Sequence, residues 1–278
     1  MSDTRRPQIR STTVLAKLAE EDVHFFTVDD LQRVLCVDRG RAQLVAQRLA
    51  DAGFARRLQR GLYALLDPSA WLDPKAGFVM GRYGAAAALA PKPYYLAYYS
   101  AMDLHGMLGH PLLAVVVATK VQKRAVTISP VRFRFIKLSD RRFFGFEQRS
   151  VDGTSHANVA DLERTFIDCV DRFDLCGGVG EVAAGFGRSG RSLNQDRLVQ
   201  YLERLAEPSL AKRLGYLLEQ VDVAPTRLLR QLEEMSRRSS RFVPLDPSAA
   251  PAQEADRDRR WRLVLNAETG QSGIGPEL

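Results

Sequence analysis

TVDDLQRVLCVDRGRAQLVAQRLADAGFARRLQRGLYALLD, residues 27–67, is the stretch around which the rest of the chain is ordered. Thr27 is placed to cap a first helix, because its hydroxyl can accept from the unpaired amides of the first turn. Leu31, Val34 and Leu35 follow at helical spacing. Asp38 offers the same cap to a second helix, and Gly53 stands where a helix end favours a left-handed residue. Past Gly53 the apolar pattern shortens to 54–58 and 62–66, joined at Gln59-Arg60-Gly61. That is a hairpin signal with glycine at its tip.

Helix, tight turn, helix and hairpin, in this order, predict a winged helix-turn-helix. The second helix, 39–52, has two unlike faces when residues are placed 100° apart. Ala42, Val45, Ala46 and Leu49 form an apolar stripe; Arg41, Gln43, Leu44, Gln47 and Arg48 lie off it. In such modules the outward residues of the second helix reach base edges in the major groove. Arginine and glutamine suit that task, since both bond bidentately to purine edges. Arg56, Arg57 and Arg60 of the hairpin are placed to hold phosphate beside the groove. From Arg33 to Arg60 seven arginines face only Asp38 and Asp51, a local charge of +5. The other meaning of such a face is a solvated surface on a protein-binding module. Leu44, also outward, either packs beneath the hairpin or touches a thymine methyl.

A chain of 278 residues is long enough for two domains, each burying its own core. No apolar run approaches the roughly 20 residues needed to span a bilayer. The start, MSDTRRPQIR, has no apolar segment behind its basic residues, so a signal peptide is not expected. Cys36, Cys169 and Cys176 are badly spaced for a disulfide framework or a zinc site, which points to a reducing cytoplasm. A formal charge of +7 favours a polyanionic partner.

Residues 11–21 predict a short amphipathic helix that completes a three-helix core, preceded by a loose arm. The double punctuation Asp67-Pro68 and Asp73-Pro74 places a domain boundary near 70, dividing the chain into 1–70 and 71–278. A helix over 75–90 is then expected, broken by Pro91-Lys92-Pro93. Tyr94, Tyr95, Tyr98 and Tyr99 recur at three and four residues and are read as one side of a core helix. LLAVVVATK, RAVTI, VRFRFIKL, FFGFEQRSV and SHANVA predict a small sheet. Nine lysines and arginines between Lys120 and Arg149, against Asp140 and Glu147, predict a basic face on it. The remainder reads as helices: one opening at Asp161, one after LCGGVGEV, then others capped by Ser192 or started by Pro208 and Pro225. RWRLVLN, 260–266, is strand-like, with Trp261 docking it back, and the last dozen residues are expected to be disordered. The fold class is therefore mixed α+β, with a winged helix-turn-helix followed by a larger α/β domain that has a small basic sheet and a helical C-terminal part.

Catalytic patterns are sparse. His105 and His110 read as loop residues, and no metal or cofactor is expected. HExxH, GxSxG and phosphate-loop patterns are absent. Asp140 with Glu147-Gln148-Arg149 is reminiscent of a nuclease's acidic pair, but arginine stands for the lysine and cannot lose its charge. Asp161, Glu163, Arg164 and Asp168, at i, i+3 and i+4 spacing, read as a solvated ion-paired face or a partner contact.

The segments RLQRGLYALLD, YYLAYYSAMDLHGM, VADLERTFIDCVDRFDLCGGVGEV and RFVPLDPS followed by RWRLVLN resemble the AbiEi-type antitoxins of AbiE-like toxin–antitoxin pairs, over nearly the whole chain. The resemblance implies a transcriptional autorepressor that binds inverted repeats in double-stranded DNA before its own operon. It also implies a C-terminal domain that neutralises a cognate nucleotidyltransferase toxin. The DNA contacts it implies are Arg39, Arg41, Gln43, Gln47 and Arg48 in the helix and Arg56, Arg57 and Arg60 in the wing. Two other roles stay open: a solitary regulator, or an atypical kinase that modifies the toxin. The chain lacks the glycine-rich loop, paired lysine and metal-binding acid of a phosphoryl-transfer site, so a non-enzyme is expected.

Overall fold

Both caps expected in residues 27–67 are formed in the computed structural model of the protein, which describes residues 10–66, 81–153, 155–250 and 255–269. Thr27 Oγ1 accepts from the Asp30 amide at 3.2 Å, and the Asp30 carboxylate accepts from the Thr27 amide at 2.8 Å. This reciprocal box starts α2, Val28–Leu35. Asp38 Oδ1 accepts from the Arg41 amide at 2.9 Å and starts α3, Arg39–Asp51. Gly53 and Gly61 both take positive φ, at +75° and +79°, where the chain leaves α3 and turns the hairpin. Replacing Thr27 by alanine is expected to lower stability by about 1 kcal/mol. A denaturation midpoint equal to wild type would show that the box contributes nothing.

The chain falls into two compact units: Met1–Leu89 with Ile128–Val131 and Ser150–Ser155, and the remainder. The first holds α1 (Ser11–Glu20), α2, α3, and the strands β1 (Phe25–Thr27), β2 (Ala55–Gln59) and β3 (Leu62–Leu65). These strands form an antiparallel sheet in the order β1-β3-β2. Val14 and Leu18 of α1, Leu31 of α2, and Ala42, Ala46 and Leu49 of α3 are buried together with Phe26 and Tyr63. The Phe26 and Tyr63 rings stack at 5.3 Å. Strand β1 is an addition to the expected elements, because three residues are too few to show an alternation. Helix α4, Arg82–Leu89, is the described part of the helix expected over 75–90. The boundary near 70, the N-terminal arm up to residue 9 and the tail from 270 lie outside the described residues.

The second unit holds most of a six-stranded sheet in the order β6-β7-β5-β4-β9-β8. Its strands are β4 (Tyr94–Leu96), β5 (Ala114–Thr119), β6 (Val126–Ile128), β7 (Val131–Lys137), β8 (Phe146–Val151) and β9 (Ser155–Ala160). β4 runs antiparallel to β5 and parallel to β9, and β5 runs parallel to β7. This corrects the tyrosine helix. Tyr94 and Tyr95 lie on the strand, while Tyr99 starts the short helix α5, Tyr99–Leu104. Aromatic residues favour a pleated surface, and hydrogen-bonded neighbours on both sides hold three residues extended where helical periodicity was read. All four tyrosines are nonetheless buried, as core residues should be.

Five helices follow: α6 (Leu162–Asp171), α7 (Val179–Ser189), α8 (Gln195–Leu205), α9 (Pro208–Gln220) and α10 (Thr226–Arg237). Asn194, not Ser192, caps α8, accepting from the Arg197 amide at 3.1 Å; Ser192 lies in a preceding 3₁₀ turn. Pro208 occupies the first turn of α9, where its missing N–H leaves nothing unpaired. Of the strand expected at 260–266 only Leu263–Val264 pairs, as β12 between β10 (Val243–Pro244) and β11 (Arg257–Asp258). Trp261, fully buried, anchors this segment and donates its indole N–H to Glu219 at 2.7 Å.

Candidate nucleic-acid interface

Helix α3 buries Ala42, Val45, Ala46 and Leu49 and turns Gly40, Gln43, Leu44, Gln47 and Asp51 outward. The outward set recurs at three, four and seven residues, so it forms a stripe opposite the core. Arg41 and Arg48, seven apart and half-buried, run along one flank of that stripe. Arg39, at the helix start, is exposed and pairs with Asp29 of α2 at 2.6 Å. The two glutamines lie one turn apart on the exposed face, each with an amide able to donate and accept at once. Leu44 is 64 % exposed, in the middle of the stripe.

The hairpin arginines differ from one another. Successive residues of a strand point to opposite faces, so Arg56 and Arg57 of β2 cannot act on one side. Arg56 is half-buried and donates to the Ser129 carbonyl at 2.5 Å, and burial lowers its pKa. Arg57 is exposed, with Nε 3.4 Å from the Gln59 carbonyl, and Arg60 is exposed in the turn beside Gly61. An irregularity in the β2–β3 register falls between Arg57 and Gln59. Arg39, Gln43, Gln47, Arg57 and Arg60 are thus the exposed members of the expected contacts, with Arg39 paired to Asp29. Arg41 and Arg48 are positioned at the flank, and Arg56 is directed at a carbonyl within its own unit.

The candidates in the second unit resolve differently. The expected solvated face on α6 is buried: Asp161, Glu163, Arg164 and Asp168 are 7, 3, 1 and 1 % exposed. Asp161 caps α6 and accepts from the Tyr201 hydroxyl at 2.7 Å, while Glu163 accepts from the Asn194 amide at 2.7 Å. Arg164 Nη2 meets Asp168 Oδ1 at 2.7 Å, and Arg164 lies over the Phe144 ring at 4.8 Å. Arg164 Nε and Nη1 and Asp168 Oδ2 have no hydrogen-bond partner. Burial pushes the Asp168 carboxyl up to about 6 against the pull of Arg164. The helix is enclosed all round from Glu163 to Val170, so its charges brace the interior.

The acidic pair is also corrected. Asp140 sits in an exposed 3₁₀ turn paired with Lys120 at 2.6 Å, which holds its carboxyl below the usual range. Glu147 lies on edge strand β8, and β5, β4 and β9 stand between β8 and β7. The nine cations do not make one face. Arg142 bonds Asp171 and Glu207, Arg141 bonds Glu207, and Arg149 meets His105 at 3.2 Å. His105, its pKa lowered by burial, bonds the Ala160 carbonyl through Nε2 at 2.8 Å. Among the described residues no three His, Cys, Asp or Glu side chains are grouped to hold a metal ion, and no helix is long and apolar enough to cross a membrane.

No protein-family model and no curated protein matches the chain. Its fold is similar to that of the RV2827C protein from Mycobacterium tuberculosis. The crystal structure of that protein aligns with a TM-score of 0.59 over 92 % of this chain and 92 % of the other. At 16 % sequence identity the likeness concerns the fold alone. It extends the mixed α+β architecture through nearly the whole length.

Two features were invisible to periodicity. The inward turn of Arg164 and Asp168 follows from the enclosure of α6 by α5, α7, α8 and α9, which no local pattern encodes. The capture of Arg56 by Ser129 joins residues 73 apart. The period-2 rule alone, however, would have separated Arg56 from Arg57.

Proposed function

We propose that the protein is a DNA-binding transcriptional autorepressor and antitoxin, its first unit reading duplex DNA as a winged helix-turn-helix. The observation that carries this is the outward stripe of α3, where Gln43 and Gln47 project from the helix with Arg41 and Arg48 along its flank. These groups match the hydrogen-bonding edges of purines in the major groove. Arg57 and Arg60 of the hairpin supply phosphate contacts that set register without reading sequence. Two copies on an inverted repeat give the surface that one small module lacks. The resemblance of residues 94–107, 159–182, 241–248 and 260–266 to AbiEi-type antitoxins extends the reading to a nucleotidyltransferase toxin as the second partner.

The test is binding to about 200 base pairs of the protein's own upstream DNA against scrambled competitor over a salt series, as phosphate contacts release counterions. Arg41→Ala is expected to weaken operator binding by about 1–3 kcal/mol and to relax sequence preference. Arg57→Ala is expected to weaken operator and competitor alike and to reduce the salt slope by about one unit. Equal affinity of wild type for both DNAs would make the module a protein-binding one.

A further inference from the structure

Leu44 is the one large apolar side chain on the outward stripe of α3, and its surroundings are specific. On a helix a residue's surface neighbours are those three and four positions away. For Leu44 these are Gly40 and Arg41 toward the N-terminus and Gln47 and Arg48 toward the C-terminus. A single exposed leucine is ordinary on a protein surface. This one is 64 % exposed, and two arginines, a glutamine and a glycine ring it. The hydrophobic side chains of the core cluster pack elsewhere: that cluster takes Ala42, Val45, Ala46 and Leu49 from α3 and leaves Leu44 out. Leu44 therefore does not pack beneath the hairpin.

The major groove offers one apolar group on its floor, the C5-methyl of thymine, set on the same edge as the acceptors and donors that glutamine and arginine read. Resting on the DNA-binding reading above, we infer that Leu44 is a specificity-determining residue that contacts a thymine methyl in each half-site. A protein partner would meet this leucine through a wider apolar patch, and its described helix neighbours Gly40, Arg41, Gln47 and Arg48 supply no large apolar side chain. Gly40, with no side chain, lets the backbone at the start of α3 come close to the same base pairs. The residue thus adds a preference for thymine over cytosine that the polar side chains do not supply, since the methyl marks one base only.

The probe is the shortest protected segment of the upstream DNA, synthesised with deoxyuridine in place of one thymine at a time, which removes a methyl and keeps the pairing. Burying one methyl against the leucine is worth about 0.8 kcal/mol, or roughly fourfold in affinity per half-site. Wild type is expected to lose about fourfold at one thymine position of each half-site. Leu44→Ala, which loses the contact in both half-sites, is expected to bind the all-thymine segment roughly sixteenfold more weakly and to be insensitive to deoxyuridine there. The variant stays folded, because the side chain is exposed, and circular dichroism verifies this. If wild type binds specifically yet Leu44→Ala and wild type lose equal affinity at every position, the assignment of Leu44 is overturned while the DNA-binding reading stands. If wild type shows no preference for the segment over scrambled DNA, both fall.

Discussion

Asp168→Ala is expected to destabilise the protein by about 3–5 kcal/mol, because it strands the Arg164 guanidinium inside the second unit without a counter-charge. Both residues are 1 % exposed, and their contact of 2.7 Å is the ion pair that compensates Arg164 among the described residues. Arg164 already has two buried nitrogens without a hydrogen-bond partner, and removing the carboxylate breaks the bond of its third. The cation–π contact with Phe144 would remain. Chemical denaturation followed by circular dichroism reads the loss. The double replacement Arg164→Met with Asp168→Leu is expected to recover most of it, since an apolar pair of similar volume carries no desolvation penalty. A single variant as stable as wild type would show that the pair contributes little and that water reaches it.

The same pair gives a dependence on pH with a definite sign. The folded carboxyl of Asp168, at about 6, lies above its unfolded value of 3.8. The folded state therefore holds the proton more tightly, and this group's contribution to stability falls as pH rises from about 4 to about 6. The double variant should lack that component, so the difference between the two stability curves isolates it.

Gly215→Ala is expected to destabilise, against the ordinary preference of a helix interior for alanine. A Cβ at this point of α9 would stand 2.0 Å from the Trp261 ring, which is fully buried. The ring cannot shift without losing the bond from its N–H to Glu219 and its place beneath Arg260, which also pairs with Glu219 and Glu233. Overpacking of this kind costs about 1–3 kcal/mol, and expelling the ring altogether would cost about 3–5 kcal/mol. The helix-propensity gain of about 1 kcal/mol offsets only part of it. Gly187→Ala is the control. Gly187 lies in α7 with nothing within 4 Å of a built Cβ, so the same change there should stabilise by about 1 kcal/mol. Equal signs at the two positions would refute the packing account.

What could be read from sequence was what local chemistry determines. Thr27 and Asp38 announced two helix starts because a capping side chain needs only its own next three residues. Gly53 and Gly61 announced turns because positive φ has few other occupants. The α3 core stripe followed from one period. Failures came where distant parts of the chain decide. Tyr94 and Tyr95 are extended because β5 pairs with both of them, while β9 flanks the same strand with Val159 beside Leu96. Charges on α6 face inward because four helices close around them. Asn194 outcompeted Ser192 as a cap because Glu163, 31 residues earlier, fixes the Asn194 amide. For the candidate interface, residue types were legible but their directions were not, as the contrast between Arg56 and Arg57 shows.

The position of β4 in its sheet also bears on how the protein is made. Its neighbour β5 follows within 25 residues in sequence, and β7 and β6 are in place once residue 137 has been added. Its other neighbour, β9, arrives only at Ser155–Ala160. A ribosome adds about 5–20 residues per second, so for a second or more the nascent chain presents Tyr94-Tyr95-Leu96 as a bare apolar edge. An edge of that kind pairs readily with other chains. Synthesis that slows while residues 138–155 are still emerging from the ribosome should therefore raise the aggregated fraction of the full-length protein.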